Sequence, residues 1–196
     1  MTRSPADGAP PPVADHSANA FLRASRAIDA LNDRFGAFAD WLILASVLIS
    51  AANASVRYLL DYSSNGWLEI QWYLFGAAVF FGASHTLKMN EHVRVDVVYS
   101  HLSDRGRLYV DIFGLIVFLL PAMIFLGWLS WPIFAKSFAI GERSSNFGGL
   151  IVWPILLVLP VGFTLIALQG ISELIKRIAA LHGDIALDTK YEQPLQ

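Results

Sequence analysis

A chain of 196 residues that is 55% hydrophobic and only 15% charged is too apolar for a soluble domain of that size. Its net charge of −2 offers no clustered basic face, which argues against nucleic acid as a partner. The absence of cysteine excludes structural disulfides, thiolate metal sites and thiol redox chemistry.

In chain order, residues 1–19 carry Pro5 and the triplet Pro10, Pro11 and Pro12 with almost no large apolar side chains, and are expected as a disordered tail. From 20 to 36, Phe21, Ala24, Ile28, Leu31 and Phe35 recur at spacings of three and four, while Arg23, Arg26, Asn32 and Asp33 fall elsewhere. That is the pattern of an amphipathic helix, and directly before a spanning run it reads as a helix lying at the membrane surface. An ordinary frayed helix fits the same pattern. Four apolar runs follow, 38–56, 67–87, 110–134 and 150–174, each close to the roughly 20 residues that cross a bilayer. Backbone groups in hydrocarbon must bond within their own segment, so the runs are read as helices. The expected fold is an all-α membrane protein: a four-helix transmembrane domain over 37–181, with spans at about 38–58, 67–87, 110–134 and 150–174, and a C-terminal tail over 182–196.

Orientation follows from the basic residues, which are retained on the cytoplasmic side. Arg3, Arg23, Arg26 and Arg34 precede the first span, Lys88, Arg94, Arg105 and Arg107 lie in the second connection, and Lys176, Arg177 and Lys190 follow the last. Only Arg57, Lys136 and Arg143 fall on the other side, so both termini are expected in the cytoplasm. Tyr58, Tyr62, Trp67, Trp72, Trp128, Trp131 and Trp153 fall near the expected outer ends, where aromatic rings prefer the headgroup level. Ala78 and Gly82, four apart, make a candidate helix contact, and Pro121 and Pro160 are expected to bend the third and fourth spans.

Polar chemistry is sparse. No histidine falls at mid-membrane, whereas a haem anchor takes axial ligands from facing helices. Glu69 lies about 3 Å inside the second run, where water can reach it. The densest polar cluster runs from Lys88 to Tyr99, with His92 and Asp96 four apart and Arg94 turned elsewhere, toward a carboxylate on another protein or a lipid phosphate. This reading places every ionisable residue at a helix end or in a connection. It finds no catalytic, metal-binding or substrate-binding constellation.

Two stretches resemble a known family. The first is Glu69-Ile70-Gln71, Leu74-Phe75-Gly76, Gly82-Ala83-Ser84-His85-Thr86-Leu87-Lys88 and Asn90-Glu91-His92-Val93-Arg94-Val95-Asp96. The second is Trp153-Pro154, Leu159-Pro160, Gly162-Phe163 and Leu168-Gln169-Gly170-Ile171-Ser172-Glu173. In this order, over about 59–181, they resemble the small membrane (permease) subunit of tripartite ATP-independent periplasmic (TRAP) transporters. The resemblance implies a multi-pass protein of the bacterial inner membrane that is not an enzyme and holds no cofactor. A soluble periplasmic binding protein delivers an organic acid, a large multi-span subunit moves it with the sodium gradient by an elevator motion, and the small subunit braces the large one. Substrate and sodium belong to the other proteins. Glu69, Gln71, His92, Arg94 and Asp96 are implied as positions of helix-end pairing or of contact with the large subunit and membrane lipids, and Gln169 and Glu173 as further positions of that subunit or lipid interface. The competing class is a membrane anchor of a redox enzyme complex, which predicts haem or quinone binding by the isolated chain.

Overall fold

A computed structural model describes residues 16–62, 64–89, 102–146 and 148–183. The described residues are helical apart from short connections and one isolated antiparallel bridge, Arg143 to Ile151. Four continuous helices result: α1 His16–Leu60, α2 Asn65–Met89, α3 Asp104–Ile140 and α4 Trp153–His182. Three of them, α1, α3 and α4, are long and apolar enough to cross a membrane. The 25 residues of α2 extend about 37 Å, also more than a hydrocarbon core.

The elements are longer than the apolar runs that announced them. α1 holds 45 residues and has no break between the amphipathic segment and the first apolar run. α3 starts six residues before its run and continues six beyond it. Helices persist past the apolar stretch because their ends are capped or paired. Ser103 Oγ accepts from the Gly106 N–H at the start of α3. Left-handed Gly141 and Gly183, at φ 60° and 84°, let the last carbonyls of α3 and α4 be satisfied.

Proline leaves two different marks. Ahead of Pro121, residues Leu115–Leu119 form a π-turn, and the Leu120 N–H reaches back five residues to Leu115 O. The wider turn makes room where the proline ring would crowd the carbonyl four residues back. Pro160 is buried inside α4, and its carbonyl accepts from Thr164 Oγ1 at 2.7 Å. Pro132, inside α3, is a third interruption of the hydrogen-bond ladder.

α4 is the central helix, packed against α1, α2 and α3, while α1 and α2 form an antiparallel pair. Small residues set the close approaches. A Cβ on Gly82 would stand 3.7 Å from Ala39 Cβ of α1, and Ala78 is buried one turn away. Gly162 lies beneath Phe80, where a Cβ would meet the ring side chain at 2.7 Å. Gly170 lies beneath Leu119 at 2.6 Å, and Gly127 faces Phe163 at 3.6 Å. Such contacts carry helix association in lipid, where no hydrophobic force draws helices together. The outward faces are broadly apolar: Trp41 is 69% exposed, Phe118 65% and Trp128 70%.

Candidate functional site

Two polar networks tie the helices together, one at each end of the bundle. At the charged end, Gln169, Ser172, Glu173, Lys176 and Arg177 share one side of α4 through spacings of three, four, seven and eight. Ser25, Asp29 and Asn32 form the matching stripe on α1. Asn32 Nδ2 donates to Gln169 Oε1 at 2.7 Å, and Gln169 Nε2 donates to Asp29 Oδ1 at 3.0 Å and to Glu173 Oε1 at 3.1 Å. Ser172 Oγ donates to Asp29 Oδ1 at 2.7 Å and lies 2.7 Å from Ser25 Oγ. Lys176 Nζ bridges Asp29 at 2.9 Å and Glu173 at 2.6 Å. Arg177 pairs with Glu173 through Nη1 and reaches across to Asp111 of α3 through Nε at 3.0 Å. Asn32 and Gln169 are fully enclosed, and Asn32 Oδ1 has no partner within the chain.

Nearby, Lys88 of α2 holds both oxygens of Asp33 at 2.6 and 2.7 Å. His85 Nδ1 lies 3.3 Å from the same carboxylate without hydrogen-bond geometry. All four helices thus contribute charged groups that meet in mutual pairs. Buried charges are tolerated only on those terms.

At the opposite end, Glu69 of α2 is buried and grips the connection between α3 and α4. Its Oε1 accepts from Ser144 Oγ at 2.5 Å and Asn146 Nδ2 at 2.7 Å, and its Oε2 from the Leu150 N–H at 2.7 Å. The connection is itself folded into a hairpin by Ser144 N to Leu150 O and Val152 N to Glu142 O, both 2.9 Å. Gly149 is required there, because a Cβ would lie 2.7 Å from Ser144 Cβ and O.

The expected site residues divide accordingly. Glu69, Gln169 and Glu173 are buried and bonded within this chain, Glu69 to the connection between α3 and α4 and Gln169 and Glu173 to groups on α1 and α4. Gln71, two residues from Glu69, points to another side of α2 and lines a 610 Å³ cavity against α1 with Asn53, Arg57 and Asp61. His92, Arg94 and Asp96 lie outside the described residues. Gly148 and Gly149, just before the last span, belong to the hairpin clasped by Glu69.

The sequence reading also overlooked three features. The stripe Ser25, Asp29 and Asn32 lies one residue beyond the apolar stripe Phe21, Ala24, Ile28, Leu31 and Phe35, and it is the polar stripe that faces α4, while Phe21 is 60% exposed. The matching three-four periodicity of polar residues near the ends of α1 and α4 was the available signal. The second is the pairing of Arg177 with Asp111, which no local pattern announces. The third is Asp40, a carboxylate within the first apolar run that is exposed on α1 and so belongs neither to a helix end nor to a connection.

These features define a small helical membrane protein whose charged groups lock its own helices together and whose outward faces are apolar. The chain matches the family of tripartite ATP-independent periplasmic transporters, DctQ component, over residues 46–180, and it belongs to that family. It is therefore the small subunit of a TRAP transporter, a transporter component rather than a member of an enzyme family. No curated protein and no solved structure matches the chain.

Proposed function

We propose that this chain is the accessory, bracing subunit of a sodium-coupled secondary transporter of the bacterial inner membrane, which imports an organic acid delivered by a periplasmic binding protein. In this reading it crosses the bilayer four times, α2 included, with both termini cytoplasmic. The charged end then lies at the cytoplasmic side and the Glu69 hairpin at the periplasmic side. The segment 20–36 adjoins the inner headgroup boundary with its outward apolar stripe. Substrate and sodium are bound by the large elevator-type subunit.

The observation that supports this reading is a division between inside and outside. Polar groups of α1, α2, α3 and α4 are turned toward one another, whereas the outward faces of α1 and α3 are apolar and uncovered. A bundle locked in this way offers a neighbour a rigid wall, as a brace requires. Gln71, His92, Arg94 and Asp96 are proposed to meet the large subunit or lipid, and Arg94→Ala is expected to lower the yield of intact complex.

The test is reconstitution. Liposomes holding the large subunit with this chain, supplied with binding protein and a sodium gradient, should accumulate the organic acid. Liposomes holding this chain alone should not, and flux from the chain alone would overturn the accessory role.

A further inference from the structure

Asp40 stands apart from both polar networks. It is exposed and has no hydrogen-bond or ion-pair partner among the described residues. Its depth follows from contacts that tie the helices into one frame. Its neighbour Ala39 lies against Gly82; on the same helix Phe80 covers Gly162; and Phe163, next to Gly162, faces Gly127 of α3. Asp40 is thus level with the region of Gly127, inside the stretch 112–135 of α3, which holds no ionisable side chain. That stretch extends about 36 Å, and Gly127 lies about 12 Å from its nearer end. Hydrocarbon about 30 Å thick laid over α3 therefore covers the level of Asp40.

An aspartate has a single methylene and cannot reach back to water as lysine or arginine does. The nearest ion-paired carboxylate on α1, Asp33, is seven residues or about 10 Å away. The cations of the charged end are engaged there: Lys88 with Asp33, Lys176 with Asp29 and Glu173, Arg177 with Asp111 and Glu173; Arg34, six residues back on α1, falls about 120° round the helix from Asp40. Around Asp40 the outward face of α1 is made of Ala37, Leu44 and Val47, all exposed. A carboxylate within the bilayer ordinarily faces protein or water and is paired there.

We infer that Asp40 is an intramembrane docking carboxylate that pairs with an arginine or lysine on a helix of the large subunit, laid along the face of Ala37, Leu44 and Val47. The inference rests on the accessory-subunit reading above and names a point of contact within it. Asp40 precedes residues 46–180 and takes no role from the family match.

The experiment is co-purification of this chain with a tagged large subunit from native membranes. Asp40→Leu and Asp40→Lys should lower the recovered chain about tenfold or more, with Asp40→Asn between them and the wild type. Because the chain has no native cysteine, Val47→Cys carrying a fluorescent label, exposed on the same face with Asp40 left intact, gives a second measurement. Spin-labelled lipid should quench the label when the chain is alone and not when the large subunit is bound. Recovery of all three variants at the wild-type level, equal quenching with and without the large subunit, or a disulfide joining two copies of the unlabelled Val47→Cys chain in the presence of the large subunit would each overturn the inference. If the wild-type chain itself brings down no large subunit, the accessory-subunit reading fails and this inference with it. If the wild type does so and the variants match it, only the role of Asp40 fails.

Discussion

Replacing Gln169 by leucine tests the charged-end network at its centre. The substitution removes three hydrogen bonds, from Asn32 Nδ2 at 2.7 Å and to Asp29 and Glu173 at 3.0 and 3.1 Å. Hydrogen bonds between membrane helices contribute about 0.6 kcal/mol on average and up to about 1.7 kcal/mol. Asp29 and Glu173 keep Lys176, but Asn32 is left buried with both ends of its amide unpaired, since its Oδ1 already lacks a partner. An orphaned buried amide costs about 1–3 kcal/mol, so Gln169→Leu should cost about 3 kcal/mol in all. Asn32→Leu removes one bond and the unpaired oxygen but strands the buried Gln169 Oε1, and should cost about 2 kcal/mol. The double variant leaves no amide stranded and should be destabilised by about 1–2 kcal/mol less than the sum. Equilibrium unfolding in detergent, followed by the fluorescence of the six tryptophans, measures all three. Additive costs, or a Gln169→Leu variant as stable as the wild type, would refute the claim that this network fastens α1 to α4.

Arg177→Met leaves Asp111 and Glu173 without their shared cation and should cost about 3–5 kcal/mol, visible as loss of the monodisperse chain from detergent extracts. Glu69→Gln replaces one of two accepting oxygens by an N–H donor, so at least one of the bonds to Ser144, Asn146 or Leu150 is lost. Hydrogen exchange at Leu150 and Ser144 should then accelerate, while exchange in the middle of α4 stays unchanged. Gly162→Ala places a methyl 2.7 Å from Phe80 and should destabilise by about 1–3 kcal/mol. Gly114→Ala meets nothing within 4 Å and should be neutral or stabilising by up to about 1 kcal/mol in the same unfolding assay.

What was legible followed from patterns that local chemistry enforces. Apolar runs of spanning length must be helices, so the type and order of the helices could be read directly. Their ends could not, because caps such as Ser103 and left-handed Gly141 carry helices beyond the apolar stretch. The family resemblance over about 59–181 agrees with the match over 46–180, since short motifs at fixed spacing are a property of sequence alone. The bonding partners of Glu69, Gln169 and Glu173 were not legible, because burial of a polar residue depends on what the other helices bring to it.

Sequence by itself determined a chain that must enter a membrane as helices, and the family to which it belongs, because hydrocarbon leaves the backbone no other arrangement and the motifs are written in the order of the residues. Tertiary structure alone decided which carboxylates are paired inside. Asp29 and Glu173, far apart in the chain, meet because α1 and α4 pack side by side around Lys176. Asp40, on the other side of α1, finds no such partner among the described residues. The physical reason is that an ion pair is set by distances in space, whereas periodicity reports only which residues share a face.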